Sequence, residues 1–201
     1  MSQENPLEAS GDALSRIGRQ LLRLDAATAY TRLVVGQAQA GSQAARAMLE
    51  SITARDLIDG PVHSPDDAEA MLAALWLRHD WLEPAHRIVQ RIETETGSFW
   101  HAILHRREAD FANSKYWYRR AAEHPINPTL AVRAGDIINP YPADKSLFRI
   151  IAQGWNASAF VDLVEQLHDR PDDPRHRLCV AIQEIEWQTL FVHCTRAASG
   201  R

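Results

Sequence analysis

Cysteine is nearly absent. Cys179 and Cys194 are the two in 201 residues, so no disulfide framework holds this chain together. Fifteen residues apart on one expected helix, they cannot bridge each other within it and read as reduced core thiols. No run approaches the roughly 18 consecutive apolar residues of a membrane span. The opening residues, Met1-Ser2-Gln3-Glu4-Asn5-Pro6, lack the apolar stretch of a secretory signal, so a cytoplasmic setting is expected. Net positive charge is missing as well. A formal charge of −4 argues against general nucleic-acid binding and against an anionic membrane partner. Glycine-rich phosphate loops, dinucleotide glycine patterns and a Gly-x-Ser-x-Gly elbow do not occur. What is present is the balance of a folded soluble domain, 45% hydrophobic and 24% charged, which excludes disorder along the whole chain.

The pattern is helical throughout. Leu14, Ile17, Leu21 and Leu24 recur at three and four, with Arg16, Arg19 and Arg23 off that face and Asp12 as the expected cap. A packing helix and a membrane-surface helix share this pattern; the packing helix is the expected reading. Gly41-Ser42 opens a second helical stretch. Ser64-Pro65-Asp66-Asp67 is the clearest helix start, with a capping serine, a proline whose φ suits the first position, and two acids at the positive end. Further helices are expected from Glu83-Pro84, from a Ser98 cap after a Thr94–Gly97 loop, from Phe111, over Ala157–His168, and from Asp173-Pro174 to about Thr195. Residues 124–146 hold four of the ten prolines and read as a long loop with one short helix at most. No run bounded by hairpin turns reads as a strand. The expected fold is all-α, a single helical domain of about seven to nine helices with residues 65–123 as two stacked antiparallel hairpins and residues 1–10 and 196–201 loose. Leu75, Trp81, Trp100, Phe111 and Tyr118 should be buried between the hairpins.

An internal repeat supports this. His79-Asp80-Trp81-Leu82 aligns with Ala109-Asp110-Phe111-Ala112 at an offset of thirty. At each bend an aromatic fills the space where antiparallel helices meet, and Asp bonds the free N–H groups of the second helix. Residues 65–125, and the second copy most of all, resemble tetratricopeptide repeats. The residues that carry the resemblance are Ala102 in the first helix, Ala109-Asp110-Phe111 at the bend, Ser114, Tyr118 and Ala121 in the second helix, and Pro125 at the end. Ser98, His101 and His105 stand where that family has Trp, Leu and Tyr. The resemblance implies stacked helical hairpins and, on fold-level analogy, an interaction module.

Residues 76–118 contain eight of the fifteen aromatics and four of the nine histidines. The aromatics read either as core between hairpins or as the wall of a ligand groove. His101, His105 and Glu108 lie at i, i+4 and i+7 on one helix face. Two imidazoles and a carboxylate can hold zinc or iron, with His79, His86 or Asp110 as nearest further ligands. The alternative is packing, with His101 facing solvent and His105 among Tyr118 and Phe111. Arg106, Arg107, Glu108, Asp110, Asn113, Lys115, Arg119 and Arg120 read as a solvated charge network. In some tetratricopeptide domains Lys, Arg and Asn clamp a partner's carboxylate, and the resemblance lets Asn113, Lys115 and Arg119 act so here. The leading expectation is a module without catalysis or cofactor that binds a protein or peptide with an acidic group through Asn113, Lys115, Arg119, Trp100 and Trp117. The rival is a metal-dependent hydrolase or oxygenase using His101, His105 and Glu108.

Overall fold

The computed structural model describes residues 12–36 and 41–201. Ten α-helices occur among them: α1 (Arg16–Arg23), α2 (Gln43–Glu50), α3 (Pro65–Arg78), α4 (Leu82–Val89), α5 (Glu95–Arg107), α6 (Phe111–Arg120), α7 (Asn127–Ile138), α8 (Lys145–Phe148), α9 (Ala157–Leu167) and α10 (Pro174–Ser199). A 3₁₀ turn spans Ala54–Leu57, and the described residues form no strand. The all-α expectation holds. Helices α3 and α4 form one hairpin and α5 and α6 a second stacked on it, while α10 runs along α3 and α7. Residues 1–10, expected to be loose, lie outside the described residues.

The two hairpins bury their helices unequally. In α3 every residue from Ala70 to Arg78 is buried, and in α5 every residue from Gly97 to Arg107. Helices α4 and α6 bury only stripes, Ala85, Ile88 and Val89 in one and Ser114 and Tyr118 in the other. Such stripes are the ordinary outcome for helices with one face in water. Leu75, Trp100 and Tyr118 are buried as expected, whereas Trp81 and Phe111 are half-buried at the edges of the bends. Small residues let α5 and α6 approach closely: the Ser114 hydroxyl donates to the Ala102 carbonyl at 2.8 Å.

Both bends use one backbone device. After α3, Asp80 takes a left-handed φ of 64°, its N–H donates to Leu77 O, and the Trp81 N–H donates to Trp76 O. After α5, Ala109 takes φ 63°, its N–H donates to Arg106 O, and the Asp110 N–H donates to His105 O. Each pair of bonds satisfies the carbonyls a helix end leaves open. Asp80 therefore corresponds to Ala109, one residue out of step with the sequence alignment. Asp110 caps α6 as expected, accepting from the Asn113 N–H at 3.2 Å. Asp80 caps nothing; its carboxylate turns to Arg107 at 2.5 Å.

Several boundaries differ from expectation. Ser15, not Asp12, caps α1. Thr94 caps α5, so the expected loop Thr94–Gly97 is the start of the helix. Gly97 there lies against the preceding turn, where a Cβ would come within 2.2 Å of the Ile92 carbonyl. The segment 124–146, expected as a long loop, contains the twelve-residue α7 and the single turn α8. Its prolines mark ends rather than a loop. Pro128 sits in the first turn of α7, where a missing N–H costs nothing, and Pro140 follows the Asn139 cap. Residues 196–199, expected to be loose, complete α10; Ala198 is buried and its carbonyl accepts from the His63 N–H at 2.8 Å.

Two apolar cores result. The larger joins α3, α4 and α5 to Trp187, Leu190 and Phe191 of α10. The smaller lies among α7, α9 and the first half of α10, with Phe111 and Trp155 packed against both. Arg106 and Arg107 are fully buried, which corrects their place in a solvated network. Arg106 bonds Glu186 of α10 and the Tyr118 hydroxyl, and Tyr118 donates to Glu186 at 2.6 Å. Arg107 donates to Leu77 O at 2.6 Å and lies 4.2 Å over the Tyr30 ring. No helix of the described residues is long and apolar enough to cross a membrane.

Candidate functional site

Because α3 and α5 are largely buried, the surface open to a ligand is built mostly from the segments packed around them. One cleft of about 280 Å³ opens beside α6, small by the standard of ligand pockets. Lys115, Tyr118 and Arg119 reach it from successive turns of α6, Phe99 from α5, and Asn127 from the start of α7; residues 153–158 close the far side. Trp155 and Asn127 line it, and the Trp155 indole N–H and the Asn127 side-chain oxygen are buried behind its surface without a partner. One is a donor and the other an acceptor. A buried polar group left unpaired costs roughly 1–3 kcal/mol.

The charges at the cleft are unequal. Lys115 pairs with Asp162 of α9 at 2.5 Å and lies 3.6 Å from Glu165, and the Asp162 hydrogen bond raises its pKa. Arg119 is exposed, 5.9 Å from the Tyr116 ring, and makes no ion pair among the described residues. Of the five expected binding residues, only Lys115 and Arg119 share this cleft. Trp100 is fully buried, its N–H donating to Cys194 Sγ at 3.4 Å. Asn113 and Trp117 face the histidines instead: Asn113 Nδ2 lies 3.1 Å from His105 Nε2, and Trp117 stacks on His101 at 4.0 Å. Trp155 and Asn127 were not anticipated, and nothing in their local sequence marks them.

The histidines form a second cluster. His101 and His105, one turn apart on α5, stack at 4.8 Å, and His86 of α4 closes on both. The Nε2 atoms of His86 and His101 are 2.9 Å apart. One ligand atom from each of the three rings lies within 4.8 Å of the others. His101 is therefore buried rather than facing solvent, and His105 packs against imidazoles. Burial holds His101 neutral, its pKa lowered to about 3, with His105 and His86 adding to the shift. Glu108, the expected third ligand, is the α5 C-cap; its carboxylate lies 3.1 Å from His105 Nδ1 on the outer edge of the ring. Its place is taken by His86, delivered by the neighbouring helix. Asp110 lies 3.9 Å from His105 Nδ1, while His79 sits at the first bend, bonded to Leu21 O.

Both cysteines are free and buried, and burial pushes the Cys179 thiol up to about 12, so neither is poised as a nucleophile. No family model, curated protein or solved structure matches the chain.

Proposed function

We propose that the protein is a cytoplasmic, tetratricopeptide-like interaction module, without catalysis, that takes a peptide segment bearing an acidic group in the cleft beside α6. The observation that supports this most is the exposed Arg119 guanidinium, without an ion pair among the described residues, on a cleft that Trp155 and Asn127 also line. An acidic side chain or terminal carboxylate meets the Arg119 guanidinium, the natural donor to that group. Lys115, engaged by Asp162, contributes position more than charge. Two hairpins with matching bends support the repeat-like reading, and two free buried thiols agree with a reducing compartment.

The test is fluorescence anisotropy against an array of short labelled peptides, each with one Asp, one Glu or a free C-terminal carboxylate. Some peptides should bind, weakening with salt, and Arg119→Glu should lower their affinity about tenfold or more while leaving the melting temperature unchanged. Ala122→Trp, which fills the cleft, should abolish binding. Binding insensitive to both changes, or no peptide bound at about 1 mM, defeats the reading.

A further inference from the structure

We propose that His86, His101 and His105 bind a divalent first-row transition-metal ion, zinc foremost, at a site between α4 and α5 that is separate from the cleft. Three imidazoles from two packed helices bring one nitrogen each to within 4.8 Å of the others. Zinc at about 2.1 Å from three tetrahedral ligands needs them roughly 3.4 Å apart, a change within reach of side-chain rotation. His86 and His101 already place Nε2 against Nε2 at 2.9 Å, the two atoms that would share an ion. His105 is oriented for the same role. Its Nδ1 is buried without a hydrogen-bond partner of good geometry yet lies 3.1 Å from the Glu108 carboxylate. A small ring rotation would bring the Nδ1 N–H onto that carboxylate, fixing the proton there and leaving Nε2 to the metal, the usual outer support of a ligating imidazole.

The donor set chooses the ion. Three nitrogens and no inward carboxylate suit zinc, copper or nickel and disfavour magnesium and calcium, which require oxygen. Trp117, stacked on His101 at 4.0 Å, walls one side from water. Asn113, now 3.1 Å from His105 Nε2, must swing aside as the ion enters, and its amide oxygen or a water completes four-coordination.

The experiment uses the full chain produced without a polyhistidine tag, stripped with chelator and titrated with zinc and with cobalt(II). One equivalent of zinc per chain is expected, with Kd below about 10 μM, and cobalt should show the intense visible bands of a four-coordinate nitrogen site. His86 is half-buried on an outer helix, so His86→Gln should stay folded by circular dichroism and lose zinc affinity at least a hundredfold. Glu108→Gln should weaken binding about tenfold. His193→Gln, at the separate His124–His193 contact, should change nothing. Stoichiometric zinc retained by folded His86→Gln, or no zinc bound by the wild type at about 100 μM, overturns the proposal.

Discussion

At the scale of single residues, burial decides which polar groups can titrate. His124 lies beneath the start of α5, its Nδ1 accepting from the Ile126 N–H at 3.4 Å and its Nε2 3.2 Å from the Thr96 hydroxyl. Phe99 and His193 stand edge-on to it at 5.4 and 4.9 Å. Both ring nitrogens are used by the neutral form, and desolvation, helped by His193, lowers the pKa from 6.5 to about 4. The unfolded chain therefore takes up this proton first. Stability from His124 is complete above about pH 7 and is lost as pH falls from 6.5 toward 4. Urea midpoints measured at pH 7.5, 6.0 and 5.0 should fall in that order, and His124→Gln should flatten the decline. None of this is visible in the His124-Pro125 pair itself, because Phe99 and His193 come from distant parts of the chain.

At the scale of elements, cap chemistry was legible and close approach was not. Ser64-Pro65, Asp110 and Asp173 each begin a helix where their side chains say they should, since capping depends on residues only three apart. Gly97 misled because glycine ordinarily marks a turn; here it lets α5 start against the Ile92 carbonyl. Prolines misled over 124–146 because their number suggests a loop, while their positions fall at the two ends of α7. Ala109 is an exposed residue in a conformation better suited to glycine. Ala109→Gly should thus stabilise the protein by about 1 kcal/mol. A chemical-denaturation curve shifted to higher midpoint with unchanged slope checks it. Asp80→Gly is the contrasting change, because its carboxylate also holds Arg107.

At the scale of the molecule, hairpins could be inferred from local periodicity, but their lid could not. The alternation of Leu178, Ile182, Ile185 and Leu190 identifies α10 as a helix without saying what it covers. Its Glu186 reaches Arg106, eighty residues earlier, and its Trp187 donates to Ala74 O at 3.0 Å. That is why the arginines at 106 and 107 looked solvated: their partners lie on other elements. The histidine site was half legible for the same reason, with His101 and His105 set by helical spacing and His86 by packing. Glu186→Ala leaves a buried guanidinium unpaired and should cost about 3–5 kcal/mol in urea unfolding. Replacing both partners, Arg106→Met with Glu186→Leu, should recover most of that loss.

The buried Arg106–Glu186–Tyr118 triangle also bears on the order in which the chain folds. Local contacts form soonest, so the two hairpins are expected to assemble before α10, a helix buried around most of its girth, docks on them. In that interval the Arg106 charge has water for a partner, which opposes collapse of α5 onto any wrong surface. Drying of the interior must await the one helix that carries a carboxylate at the matching height. Docking of α10 is then expected to come late in folding, with the arginine favouring the helix whose register brings Glu186 to it.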